Sequence, residues 1–210
     1  MDFCLYLSNM TESQLNIKNH LTELITENLQ DFDLVDGGQQ RTIGDLVEKK
    51  VIEIILQNQN PIINEVKLST GKKSMEDVSV VSNGVTYMLD PKSHNVDSEF
   101  SMPNLSSISR IKKLFDNDKK EMMYVFVDYK IDGQVVRIED IKVLYLWELD
   151  MSMLGIGALG KGQLQIKNLN KELVISDEGK QIWYGKLKTQ VKEYLAKQIK
   201  KIEKQKKEWE

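Results

Sequence analysis

Asn83-Gly84 lies between two β-branched runs, Val78-Ser-Val-Val-Ser82 and Val85-Thr-Tyr-Met-Leu89. Both residues tolerate positive φ, which a two-residue type I′ turn requires at its centre, so the segment is expected to close into an antiparallel hairpin. That closure constrains everything near it. Asp77 opens the first strand and Asp90 ends the second, so the turn folds the two aspartates towards each other. Strand side chains alternate, which places Asp90 and Lys92 on one face with Pro91 on the other. Two carboxylates and one ammonium group are thus expected to converge at a strand end.

The surrounding chain supplies enough apolar material to hold such a hairpin. Its 210 residues are 40% hydrophobic, which suffices for one sizeable core and argues against disorder. Leu15, Ile17, Leu21, Leu24, Ile25 and Leu29 recur at roughly helical spacing, and Thr11-Glu12 with Gln14 resembles a capping box. A second helix is expected over about 42–57, with Glu48 inside its apolar stripe. Pro103-Asn104 is expected to open a third. Met122–Tyr129, Val135–Ile138, Val143–Trp147 and Leu164–Leu169 read as strands, with a turn at Asp132-Gly133. A terminal helix is expected from about Glu178. The pattern predicts a single α/β domain, a mixed central β-sheet flanked by helices. Its parts are an N-terminal helical and dimerisation segment over 1–40, a core over 41–150, and a loop and C-terminal helix over 151–210.

Charge and cysteine usage narrow the class. The net charge is −3, which by itself does not indicate a polyanionic partner. From Lys180 to Glu210, however, ten lysines face four glutamates. These read either as a solvated helix face or as a track for a phosphate backbone. Cys4 is the lone cysteine and no Cys/His metal spacing occurs. No membrane-length apolar run and no positive n-region are present, so a cytoplasmic protein with no membrane association is expected.

Phosphodiester hydrolysis needs a hard cation at the phosphoryl oxygens, and carboxylates are its natural ligands. Magnesium keeps several waters, so two carboxylates, here Asp77 and Asp90, and one backbone carbonyl would suffice to hold it. Lys92 would stabilise the attacking hydroxide and the crowded phosphorane.

Asp77 … Asp90-Pro91-Lys92 resembles the PD-(D/E)xK nuclease signature in its two-aspartate form. The upstream helix with Glu48 matches the place of that superfamily's helical glutamate. The stretch from Ser93 to Ser109, the segment Gly155–Gly162 with the strand after it, and Trp183-Tyr184 resemble the HincII/EcoRV-like branch of type II restriction endonucleases. The likeness runs in element order from about Arg41 to Lys192. It implies a restriction-endonuclease-like fold and a homodimer that cuts duplex DNA at a short palindrome, with blunt ends, Mg²⁺ as cofactor and a cognate DNA methyltransferase as companion. The implied catalytic set is Asp77, Asp90, Lys92 and Glu48, and the metal set is Asp77, Asp90 and Pro91. DNA contacts would come from Ser93, His94, Asn95, Asn104, Gly155, Gly157, Ala158, Lys161 and Gln163. A plain flexible loop is the other reading of the glycine-rich segment. Two rival functions share these residues: a repair or junction-resolving nuclease, and a DNA-binding protein whose site is disabled. The second arises because Pro91 stands where the superfamily usually has an apolar strand former, and proline suits an edge or bulge. Glu76, a hairpin-end carboxylate or auxiliary ligand, stands where a proline usually precedes the first aspartate.

Overall fold

The computed structural model describes residues 10–34, 40–58, 60–69, 71, 74–98, 103–157, 162–167 and 173–209. The first helix, α1 (Glu12–Asn28), starts at a complete capping box, with the Thr11 hydroxyl accepting from the Gln14 N–H and the Gln14 side chain accepting from the Thr11 N–H. It buries Ile17, Leu21 and Ile25 at four-residue intervals. The second helix, α2 (Gln40–Gln57), buries Ile43, Val47, Val51 and Ile55 at the same interval. Four-residue spacing keeps each stripe on one side of its helix, so both pack flat against a sheet.

That sheet has six strands in the order β1 (Phe32–Asp33), β7 (Val135–Tyr145), β6 (Lys120–Asp132), β4 (Val85–Asn95), β3 (Val78–Ser82) and β2 (Glu65–Leu68). β4 and β6 run parallel and the other neighbours antiparallel. The hairpin expected at Asn83-Gly84 is present, with φ of 50° and 75° at those residues. β6 is buried from Glu121 to Val127, a central strand covered on both faces. α1 lies along β7 and α2 along β4. A third helix, α3 (Ile108–Phe115), makes the crossover between β4 and β6 and packs on β6. A second, three-stranded antiparallel sheet joins β5 (Asn104–Ser107), β9 (Gln163–Ile166) and β8 (Leu154–Gly157) in that order. The fourth helix, α4 (Lys180–Glu208), docks through buried Trp183 and Leu187. The Trp183 indole donates to the Leu149 carbonyl at 2.7 Å, and Phe115 stacks on Trp183 and Tyr184. The mixed α/β architecture with flanking helices is therefore as expected from the sequence.

Several elements differ from the sequence expectation. β4 does not end at Asp90; it continues to Asn95 because parallel pairing with β6 carries it on. Asn104–Ser107 is a strand and the helix begins only at Ile108, since residues 104–107 find β9 as a partner. Val135–Ile138 and Val143–Tyr145 are one strand, continuous through the polar stretch, and Leu146–Glu148 is a 3-10 turn. Gly155 and Gly157 lie in β8 rather than in a loop. β1 and β2 carried no local signal and are held by their neighbours. Asp36-Gly37-Gly38, which reads as a polar turn in the sequence, lies outside the described residues. Among the described residues, no helix is long and apolar enough to cross a membrane.

Candidate active site

The site is built where β3 stops and β4 does not. β3 pairs with β4 only as far as Val78 opposite Leu89, after which the Asp77 N–H donates to the Leu89 carbonyl at 3.0 Å. Beyond that bond the β3 side of β4 is an open edge. Backbone groups alternate sideways along a strand, and the bonds fix the phase here. Thr86 and Val96, at even positions, donate towards β6, to Lys119 and Tyr129, at 2.9 Å each. Leu89 and Ser93, at odd positions, face the other way. Pro91 shares their phase, so it sits where no ladder donor is needed and its carbonyl faces the open edge. The concern that proline disturbs this strand is answered by register.

Asp90 is buried, at 7% exposure, and its Oδ1 accepts from Lys92 Nζ at 2.6 Å. Burial pushes its pKa up to about 7. Lys92 opposes that rise, while the Asp77 carboxylate, brought within interacting range by the hairpin, adds to it. Two acids and one lysine therefore share a poorly solvated corner, where one carboxylate tends to keep a proton unless further positive charge arrives.

Glu48 reaches the same edge from α2. Its Oε1 accepts from both the Ser93 N–H, at 2.9 Å, and the Ser93 hydroxyl, at 3.0 Å. It thereby caps the backbone donor that β3 leaves unpaired. Its pKa is raised, first by burial, against the lowering effects of the Ser93 N–H and of Lys92. Close approach of α2 is possible because residue 44 is glycine; a Cβ there would lie 2.8 Å from the Ser93 hydroxyl oxygen.

On the face shared by Asp90 and Lys92, the next residue out is His94. It is buried at 6% exposure, and its Nδ1 lies 2.9 Å from Asp128 Oδ1 on β6. Its Nε2 is buried and, among the described residues, unpartnered. Tyr124, in register with Asp90, has a fully buried hydroxyl in the same condition. Burial and the Asp90 charge hold its pKa well above the ordinary tyrosine value.

Asp77, Asp90, Lys92, Glu48 and Ser93 are thus gathered around one open edge, with His94 beyond them, held to Asp128 on the β6 side. Asn95 instead closes a turn, its side chain accepting from the Asp97 N–H. Asn104, Gly155, Gly157 and Gln163 are grouped on the second sheet. Asn104 and Gly155 flank Gln165 there, and Gln163 pairs with Gly157 and Ser107. The Gln165 amide donates to Asn104, and its side chain lies over Gly157, whose lack of a Cβ leaves room for it. Ala158 and Lys161 lie outside the described residues. Glu76 keeps its carboxylate on the Met75 N–H. Tyr124, Asp128 and Gln165 were missed in the sequence. A strict two-residue count along β6 from Tyr124 would have found Asp128.

Among the described residues, no three His, Cys, Asp or Glu side chains are grouped to hold a metal. The available donors are two carboxylates and an outward carbonyl. That oxygen-only set suits a hard cation that retains water, and its charge would relieve the crowding that raises Asp90. No family model and no curated protein matches the chain. Among solved structures it is similar to NlaIV restriction endonuclease, at 16% identity and a TM-score of 0.47, over 78% of this chain and 72% of that one. A likeness at that level says nothing about this chain's activity.

Proposed function

We propose that the chain is a Mg²⁺-dependent deoxyribonuclease of the type II restriction kind. The observation that carries the reading is the meeting of Asp77, Asp90 and Lys92 where β4 outruns β3. Asp77, Asp90 and the Pro91 carbonyl would hold the ion. When bound, it would supply charge neutralisation at the phosphoryl oxygens and a lowered pKa for water. The Lys92 ammonium group, beside Asp90, would stabilise the charge developing on phosphorus-bound oxygen. Glu48 fixes the edge through Ser93. Asn95 lies at the carboxyl end of β4, where it would meet a backbone phosphate, and His94, buried against Asp128, would position that end of the strand. Asn104, Gly155, Gly157 and Gln163 would read or line the major groove from the second sheet, and Ala158 and Lys161, outside the described residues, would share that reading. The unit of function in this reading is a homodimer at a short palindrome, cutting blunt, in the cytoplasm beside a cognate methyltransferase.

Digestion of mixed plasmid DNA tests the reading. Discrete fragments are expected with Mg²⁺ and none with EDTA, while Asp77→Ala and Asp90→Ala each lose cleavage at least a hundredfold and retain DNA binding in Ca²⁺. Cleavage confined to branched substrates would assign a junction-resolving role. Undiminished cutting by both variants would remove the site.

A further inference from the structure

Beside the catalytic corner, α3 and the segment before β3 enclose a cleft of about 400 Å³. Its volume falls in the range of roughly 300–1,000 Å³ usual for ligand sites. Arg110, Lys113 and Lys120 line it, with Ser74, Glu76 and Met88. We propose that this cleft is an anion site for a phosphate group, and, resting on the nuclease reading, that its occupant is a phosphodiester of the DNA substrate a few nucleotides from the one cleaved.

The charges carry the inference. The chain has more acids than bases, 32 against 29. Outside α4 its exposed lysines are commonly paired, as Lys49 is with Glu53, Lys67 with Glu65 and Lys130 with Glu139. On α3 itself, Lys112 is held by Asp116 at 2.8 Å. Lys113 and Lys120 have no such partner among the described residues. The one carboxylate in the cleft, Glu76, is turned to the Met75 N–H at 3.0 Å. Arg110 spends one donor on the Ser74 carbonyl, at 3.0 Å, which anchors it at the cleft wall. A guanidinium has five donors in a fork that fits phosphate oxygens, so most of its capacity remains. Three cations against one carboxylate leave the cleft with net positive charge, which implies a guest that brings negative charge.

The position ties the cleft to the reaction. Ser74 and Glu76 lead directly into Asp77, and Met88 precedes Asp90 by two residues on the same face of β4. One strand repeat is about 7 Å and two about 13 Å. A single nucleic-acid strand advances about 3.4 Å per phosphate along its axis. A backbone whose scissile phosphate sits at Asp90 therefore has others within reach of the cleft.

The test uses the full chain and the Lys113→Gln/Lys120→Gln variant, since both side chains are exposed and substitution spares the core. Binding of a mixed-sequence duplex is followed in Ca²⁺ across salt concentrations. In parallel, inorganic phosphate is titrated while the amide shifts of Ser74 and Arg110 are recorded. For a DNA phosphate, the slope of log K against log salt falls by about 1.8 in the variant, from two lost contacts. A Lys49→Gln/Lys130→Gln control leaves it unchanged. If phosphate shifts those amides in the parent and not in the variant, while duplex binding is absent or keeps its slope, the anion site stands with free phosphate or a nucleotide as its source. Absent duplex binding then tells against the nuclease reading alone. An unchanged slope together with no phosphate response overturns the site.

Discussion

Asp90 is the residue whose chemistry is most dependent on its setting. With its pKa near 7, well above the ordinary aspartate value, the ion-free native chain binds more protons than the unfolded chain between about pH 4 and 7. Stability of the ion-free chain should therefore fall as pH rises through that window and level off above it, by on the order of 3–4 kcal/mol. Asp90→Asn should flatten that fall, raise stability at pH 8 and abolish cleavage, as urea titrations in EDTA at pH 4.5 and 8 would measure. A flat parent profile would show that Asp90 is already ionised without a cation. Pro91 carries the second expectation at this scale. Because its ring occupies an unpaired phase of β4, Pro91→Val should change stability by less than about 1 kcal/mol by thermal melt. The Asp-x-Lys spacing was legible in the sequence because alternation alone places the two charges together. The harmlessness of the proline was not, since it depends on where β3 ends.

At the scale of elements, the open edge of β4 is sealed by a helix rather than by a strand. Glu48→Ala would leave the Ser93 N–H without its acceptor, at a cost of about 1–3 kcal/mol. Glu48→Gln keeps one oxygen for that bond and should cost less than about 1 kcal/mol. Measuring cleavage beside stability then separates two roles. If Glu48 only caps Ser93, Glu48→Gln retains most activity; if it also serves the cation, activity falls more than tenfold with the fold intact. The hairpin and both N-terminal helices were readable because turn chemistry and four-residue spacing are local signals. The far half of β4 was not. Lys92-Ser-His-Asn95 looks like a loop because its polar side chains line the site instead of the core. β5 was hidden likewise, as the pairing of Asn104–Ser107 with Gln163–Gln165 joins residues nearly sixty apart in sequence.

Taken whole, the molecule is held together by a few buried polar ties between distant segments. Glu121 on β6 accepts from Gln14 of α1 at 3.0 Å and from Lys180 of α4 at 2.8 Å, and buried Glu148 is paired with Lys18. Among the described residues such ties to α4 run no further along it than Gln190, whose amide donates to the Leu154 carbonyl. From Leu195 on, all described residues except Gln198 are open to solvent, including Ile199 at 56% and Ile202 at 62% exposure. Ending the chain after Val191 should therefore shift the melting temperature by no more than about 2–4 °C, as a thermal scan would show. A larger loss would mean that the distal helix is covered in solution. The same helix also divides the charge of the molecule. The helix and the two residues after it carry ten lysines and four glutamates, giving +6, which leaves −9 on the preceding 179 residues of a chain whose total is −3. Such a polypeptide is a macroscopic electric dipole. At low ionic strength it should be retained by anion- and cation-exchange resins alike, and lose its affinity for the cation exchanger once the helix is cut away.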